Sequence, residues 1–308
     1  MAVKWILKAV VQKTISFFPF RNKVNYLFQK YITKGVNLTD EYFDDRLGHA
    51  AVHLNSFVQY RNRIPEQTLE IGTGWYPVIP ISFFLCGVNQ IYSVDISFLT
   101  SVPRIKTTLE QFFEHHRSGK LQGVLTGILP QRWAALAALY ARIDQLPLPE
   151  VLQALNLHYV IQDARHLDFA DGTIDLVNSN NTFEHIDAAI LPGILKEFKR
   201  IVSPNGVMSH AIDMSDHFAH FDQQISIYNF LRFSESQWKL IDNQIQPQNR
   251  LRFADYINMY RKLDIPVTEQ SFRPGSPEVV AALSLAEPFC HMPQADVAIS
   301  HCHLLSVM

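Results

Sequence analysis

A glycine turn between two apolar segments constrains the fold of this chain more than any other feature. Residues 68–71 form a short apolar run, and the turn at 72–74 supplies two glycines. The pattern then predicts a buried helix over 78–87, closed by a glycine, and a second strand over 91–94 that ends on Asp95. These are the parts of a nucleotide-binding βαβ unit, in which the terminal acid holds the ribose hydroxyls.

The residues after the turn narrow the choice of nucleotide. A dinucleotide site has a third glycine that lets the helix N-terminus approach a pyrophosphate. Here Pro77 takes that place, after the bulky Trp75 and Tyr76, and no Gly-Lys-Ser/Thr phosphate loop occurs. NAD, FAD and ATP are therefore disfavoured. An adenosyl ligand without phosphate fits better, and S-adenosylmethionine is the one we expect.

Segments downstream continue the alternation of strands and helices. We predict strands over 159–162, 174–179 and 207–213, with a helix over 195–202 that is stopped by Ser203-Pro204-Asn205-Gly206. The motifs LEIGTG, VD, QDA, FADGTIDLVNSNNTFEHI and LKEFKRIVSPNGV occur in this order over residues 68–213. In this set and order, the chain resembles the class I S-adenosylmethionine-dependent methyltransferases, in particular the type 11-like small-molecule group.

The resemblance implies a Rossmann-like α/β fold with a seven-stranded, mostly parallel sheet whose last strand is antiparallel. It also implies roles for the motif residues. The first turn would line the methionine and ribose end of the cofactor. Asp95 would bind the ribose hydroxyls, and Asp163 would contact the adenine edge. The residues carried over as cofactor-binding are Glu70, Gly72, Thr73, Gly74, Asp95, Ile96, Asp163, Ala164, Ser179 and Asn180.

Composition excludes several other classes. The 308 residues are 47% hydrophobic and 18% charged, which is typical of a well-buried globular protein. The net charge of −2 argues against nucleic-acid binding. The 3 cysteines form no disulfide framework or zinc spacing, so we expect a cytoplasmic protein. The amphipathic start of the chain is too short to span a membrane, and we expect it to pack against the core or a second subunit.

Three segments outside the motifs should carry specificity. We predict an N-terminal helical cap over 1–66, before a methyltransferase domain over 67–308. Within that domain, the insertion over about 97–157 is expected to be a lid or a dimer-forming element, which makes a homodimer one expected arrangement. The segment over 214–265 leaves the fifth strand on the acceptor side. Beyond it, a strand over 266–272, a helix starting at Ser276-Pro277 and a final strand over 297–305 complete the pattern.

The acceptor-side segment holds the densest group of polar residues. His217 or His220 could take a proton from an acceptor hydroxyl, and His185 could shape the pocket or act as base. The run Asp-His-x-x-His-x-Asp over 216–222 matches no zinc spacing, so we expect no metal. The catalytic candidates are therefore His217, His220 and His185, and the substrate-binding candidates are Tyr42, Asp216, Asp222, Tyr228 and Arg250.

Methyl transfer requires few catalytic groups, because its rate depends mainly on the positioning of donor and acceptor and on the exclusion of water. A carboxylate acceptor needs no base, whereas a hydroxyl needs at least a hydrogen-bond acceptor. We expect O-methylation of a small or medium-sized acceptor, such as a secondary metabolite, a sugar or a peptide carboxylate. The alternatives are an N-methyltransferase and an inactive cofactor-binding or scaffold protein of a biosynthetic complex. An enzyme that uses NAD is the least favoured alternative.

Overall fold

A computed structural model describes residues 4–17 and 37–308 of the chain. The first described helix is α1, Lys4–Ile15, and the next is the long α2, Asp40–Arg61. Thr39 caps α2, because its hydroxyl accepts a hydrogen bond from the N–H of Tyr42 at 3.2 Å. The helices α1 and α2 both belong to the predicted N-terminal cap. Residues 18–36, between them, lie outside the described residues.

A seven-stranded sheet forms the centre of the described part of the chain. Its spatial order is β3-β2-β1-β4-β5-β7-β6. The pairs among the first five strands are parallel, and β7 runs antiparallel to both β5 and β6. The strands are β1 Gln67–Ile71, β2 Gln90–Asp95, β3 Leu157–Ile161, β4 Ile174–Asn180, β5 Val202–Asp213, β6 Glu269–Arg273 and β7 His301–Val307.

Helices cover both faces of this sheet, as a parallel sheet requires. They include α3 Val78–Leu85, α4 Val102–Arg117, α5 Lys120–Val124, α6 Pro130–Tyr140, α7 Leu148–Ala154, α8 Leu191–Ile201, α9 Glu235–Ile241, α10 Phe253–Lys262, α11 Pro277–Ala281 and α12 Gln294–Ala298. Every residue of α3 is buried, which explains why its sequence is apolar on all sides. Gly87 follows α3 with φ +97°, as the predicted glycine stop requires.

Alternate residues of the central strands divide the core into two parts. Leu176, Val207 and Leu305 face a cluster that includes α2, α3 and the insertion. Their neighbours, such as Val177 and Met208, face a second cluster with α8 and α10. The insertion over 97–157 is therefore a packed helical part of one face. Whether it also closes over ligands or joins subunits stays a prediction.

The start of the chain packs against the acceptor-side segment of the same chain. Trp5 and Ala9 of α1 lie in a third apolar cluster with Phe218 and Trp238. The backbone N–H of Trp5 donates to the carboxylate of Asp222 at 3.1 Å. Among the helices of the described ranges, none is both long enough and apolar enough to cross a membrane.

The C-terminal end differs from the sequence prediction in three places. The final strand begins at His301 rather than at residue 297, because the residues before it form α12. The carbonyls of Val297 and Ile299 accept hydrogen bonds from the Arg252 guanidinium and are not part of the ladder. The helix that starts after Ser276 is short, because it ends at Ala281, and β6 spans Glu269–Arg273 where a strand over 266–272 was expected.

Candidate active site

The glycine turn lies where β1 ends, at the carboxyl edge of the sheet. Gly72 and Gly74 have φ values of +75° and +73°, a region that favours glycine. A Cβ on Gly72 would lie 2.5 Å from the side chain of Thr182, whereas one on Gly74 would meet nothing within 4 Å. Gly72 thus allows close packing inside the protein, and Gly74 leaves open space in front of its backbone.

Asp95 ends β2 beside this open space. Burial raises the pKa of Asp95, while hydrogen bonds from the backbone N–H groups of Ser97, Ile96 and Gly74 act in the opposite direction. The bond from Ser97 measures 3.2 Å. Ile96 follows and is 83% exposed, so it offers an apolar surface to a flat ring.

Glu70 lies buried beneath the glycine turn. Its carboxylate accepts hydrogen bonds from the hydroxyl of Thr73 at 2.6 Å and from the side-chain amide of Asn180 at 3.1 Å. Burial raises the pKa of Glu70 to about 7, even though Thr73, Arg46 and Asn180 favour the charged form. Arg46 reaches this place from α2, with its guanidinium stacked 5.0 Å from the ring of Tyr42.

A row of polar side chains continues from Glu70 across the sheet. Asn180 Oδ1 accepts a hydrogen bond of 2.8 Å from His53 Nε2, so the other nitrogen of that ring, Nδ1, must be an acceptor. It receives the hydroxyl of Ser209 at 2.6 Å, and Ser209 in turn accepts from His303 Nε2 at 2.8 Å. Burial keeps the pKa of His53 well below its usual value, which agrees with a neutral ring.

The other carried-over cofactor residues occupy two kinds of position. Asp163 is half-exposed and paired with Arg165 at 2.5 Å, next to the buried Ala164. Ser179 is fully buried and bonded to His210 at 2.8 Å, so it forms part of the floor. The open backbone at Gly74 and the carboxylate of Asp95 fit a ribose, and the Ile96 surface fits an adenine ring. The individual contacts to the cofactor stay predictions.

On the acceptor side, three imidazoles lie around the carboxylate of Asp213, at the end of β5. One carboxylate oxygen lies 3.3 Å from His217 Nε2 and 4.0 Å from His220 Nε2, and the other lies 3.4 Å from His301 Nε2. Burial works to raise the pKa of Asp213, but the neighbouring imidazoles of His217 and His301 hold it below its usual range. His220 is the most exposed of the three imidazoles, at 57%.

The turn after β4, Phe183–His185, lies against the same group of imidazoles. The ring centroids of His185 and His217 are 4.8 Å apart. The Nδ1 of His185 donates to the backbone carbonyl of Pro247 at 2.7 Å, and burial lowers the pKa of this ring to about 4. Glu184, between Phe183 and His185, is 1% exposed. The three catalytic candidates His185, His217 and His220 are therefore adjacent in the structure.

The substrate-binding candidates are mostly engaged inside the protein. Asp216 accepts from the N–H of Phe218 at 2.8 Å. The hydroxyl of Tyr228 donates to the Ala298 carbonyl at 2.8 Å. Arg250 donates to the Phe230 carbonyl at 3.1 Å and forms an ion pair with Glu235. Asp222 accepts a hydrogen bond from the backbone of α1, and the ring of Tyr42 stacks against Arg46. Their contact with an acceptor stays a prediction.

Sequence reasoning missed three residues that the fold brings into the site. Arg46 and His53 lie seven residues apart on α2, facing the carboxyl edge of the sheet, and Glu184 stands beside the predicted His185. Two basic side chains at i and i+7 share a helix face, which was the available signal for the first two. Nothing in the sequence marked Glu184 as buried.

The strand order, the antiparallel seventh strand and the glycine turn followed by Asp95 define the class I methyltransferase fold. Residues 123–209 match a family model described as a methyltransferase domain. The chain therefore has the fold of the class I S-adenosylmethionine-dependent methyltransferases, and over residues 123–209 it is similar to a methyltransferase domain.

Solved structures of similar shape are distant in sequence. A protein of Pyrococcus horikoshii OT3 is 12% identical, with a TM-score of 0.46, over 91% of this chain and 97% of that one. The 1,6-didemethyltoxoflavin-N1-methyltransferase of Burkholderia thailandensis is 11% identical, with a TM-score of 0.45, over 94% and 91%. No curated protein matches the chain. Because these likenesses are weak, the assignment of class rests on the strand order and the family match.

Proposed function

We propose that this methyltransferase acts on an oxygen of a small or medium-sized acceptor that binds beside Asp213. The observation that carries the proposal is the group of imidazoles around that carboxylate, at the carboxyl ends of β4 and β5. Ligands of open α/β sheets bind at this edge. A hydroxyl at this place meets several hydrogen-bond acceptors, whereas an acceptor amine has less need of one.

The cofactor end is assigned to the first two strands. Asp95 is proposed to bind the ribose hydroxyls, with Ile96 against the adenine. Glu70 is suited to the ammonium group of the methionine moiety, and Arg46 to its carboxylate, because Arg46 has a buried Nη1 without a hydrogen-bond partner among the described residues. When bound, S-adenosylmethionine supplies a methyl group on a sulfonium, whose departure leaves a neutral thioether.

The acceptor end is assigned to His220 and His217. His220 is exposed enough to accept a hydrogen bond from the acceptor hydroxyl and to take its proton as the new bond to carbon forms. His217 is half-shielded and oriented by Asp213. His185 shapes the inner wall, since its Nδ1 is held by the Pro247 carbonyl.

The test is a turnover assay that measures S-adenosylhomocysteine formation with matched hydroxyl, carboxylate and amine acceptors. We expect turnover with an oxygen acceptor, and a decrease of roughly 100-fold or more in kcat for His220→Asn on a hydroxyl substrate. His158→Asn, an exposed histidine at the opposite end of β3, is the control. Turnover with amines alone would contradict O-methylation. Cofactor binding without turnover on any acceptor would favour the scaffold alternative.

A further inference from the structure

Glu184, His185 and His217 place three metal-ligating groups together at the carboxyl edge of the sheet. One donor atom from each lies within 4.8 Å of those of the other two. His217 comes from the segment after β5, and the other two come from the turn after β4, so the sequence gives no sign of the grouping. The run over 216–222, which has no zinc spacing of its own, contributes only His217 to this group.

Glu184 is the unusual member of this group. Its side chain is 1% exposed, and neither carboxylate oxygen has a hydrogen-bond partner in normal geometry among the described residues. The backbone N–H groups of Glu184 itself and of Asp213 are near enough to favour the charged form, but burial outweighs them and raises the pKa of Glu184. A buried, unpartnered carboxyl group is costly whether it is ionised or protonated, because both forms leave polar atoms unsatisfied.

The surrounding contacts hold the donors in place. The Nδ1–H of His185 donates to the Pro247 carbonyl, which leaves its Nε2 as the unprotonated, coordinating nitrogen. The side-chain amide of Asn249 donates to the carbonyls of Phe183 and Ile186 at 2.7 and 2.8 Å and so fixes the turn itself. Outer contacts of this kind orient histidine ligands in metal sites.

Charge also favours a cation at this place. Asp213 lies 3.3 Å from His217, so a second carboxylate stands at the edge of the group. A divalent ion would balance both carboxylates. Two imidazoles with carboxylate oxygen form a donor set typical of zinc and its neighbours in the first transition row, and not of magnesium or calcium.

We propose that Glu184, His185 and His217 bind one divalent transition-metal ion of the zinc class, with Asp213 beside it. The ion would tie the turn after β4 to the segment after β5. His185 and His217 then serve as ligands, and His220 is the imidazole left for the acceptor. The proposal goes beyond the methyl-transfer activity and is tested without acceptor or cofactor.

The experiment is a titration of the chelator-treated full chain with Co²⁺, followed by its visible ligand-field bands, and with Zn²⁺ in competition. A second group, Glu287, Cys290 and His291, is exposed and could also take the ion. All variants are therefore made in a Cys290→Ser, His291→Ala background. We expect one ion per chain in that background, with a spectrum that lacks thiolate charge transfer.

Glu184→Gln keeps the shape of the side chain and removes its charge. It should weaken Co²⁺ affinity by more than the roughly 10- to 100-fold that loss of an outer contact costs. His217→Asn, at a half-buried position that tolerates change better, should do the same, and His220→Asn should not. Absence of binding in the background protein would overturn the proposal, as would full affinity in both ligand variants. Because no acceptor is present, either result is independent of the proposed O-methylation.

Discussion

The Nε2–H of His53 donates a hydrogen bond of 2.8 Å to Oδ1 of Asn180, and so joins the helix α2 to the end of β4. This bond fixes which group donates and which accepts in the two neighbouring hydrogen bonds. Asn180 is left to donate through its amide to Glu70, and Ser209 must donate to His53. The N-terminal helix therefore takes part in positioning the carboxylate below the glycine turn.

We expect His53→Ala to destabilise the fold, because it leaves the Asn180 carbonyl without its donor in a buried place. The cost of one unsatisfied buried group is about 1–3 kcal/mol. Chemical denaturation of the variant and of wild type measures the change in the free energy of unfolding. His158→Ala, on an exposed ring, is the control, and a similar effect in both would contradict the role of the network.

The two glycines of the turn should respond differently to alanine. Gly72→Ala brings a Cβ within 2.5 Å of Thr182, so it adds steric overlap to the strain of a positive φ. We expect a loss of stability of about 1–3 kcal/mol beyond that of Gly74→Ala. Gly74→Ala meets no protein atom and should cost about 1 kcal/mol, while lowering S-adenosylmethionine affinity. Denaturation and calorimetric titration separate the two effects, and equal losses of stability would contradict the reading of Gly72.

Asp95→Ala should remove charge-assisted hydrogen bonds to the ribose, each worth roughly 1.5–3 kcal/mol. Calorimetric titration with S-adenosylmethionine and S-adenosylhomocysteine measures the loss, with NADH as the negative ligand. Asp168→Ala, an exposed acid after β3, is the matched control. Unchanged affinity in Asp95→Ala would remove this residue from the cofactor site.

The pair of Arg63 and Asp175 should make stability depend on acid pH. Burial works to raise the pKa of Asp175, but hydrogen bonds from Arg63 at 2.8 Å and from the N–H of Glu66 at 2.7 Å outweigh it and lower the pKa. The folded value thus lies below the unfolded value of about 3.9. The contribution is therefore complete above the unfolded pKa and is lost as the pH falls through the folded one.

Asp175→Asn tests this dependence by denaturation at a series of pH values. Near neutral pH we expect the variant to be less stable by on the order of 1 kcal/mol, since Arg63 is half-exposed and solvent screens the pair. The difference should shrink in acid. A difference that stays constant from neutral pH to acid would show that the charge of Asp175 is not involved.

Local patterns were enough to predict most elements of the fold. The glycine turn, α3 with its glycine stop and β2 ending on Asp95 all occur where the sequence places them, because each depends on neighbours within a few residues. The final strand was placed too early, since residues 297–299 are apolar in sequence but their backbone is bound by Arg252 from elsewhere in the chain. An alternation of apolar residues cannot report such a contact.

Local sequence patterns were sufficient to predict the nucleotide-binding βαβ unit, the succession of strands and helices along the chain, and the class of cofactor to expect. Which polar side chains meet depends instead on the packing of the whole chain. His53 and Asn180 are 127 residues apart in the chain, and Glu184 meets His217 across two strand ends. The reason is physical: periodicity fixes which face a residue occupies, whereas the pairing of faces depends on how strands and helices pack. The acceptor side is formed by such contacts between residues that are distant in the chain.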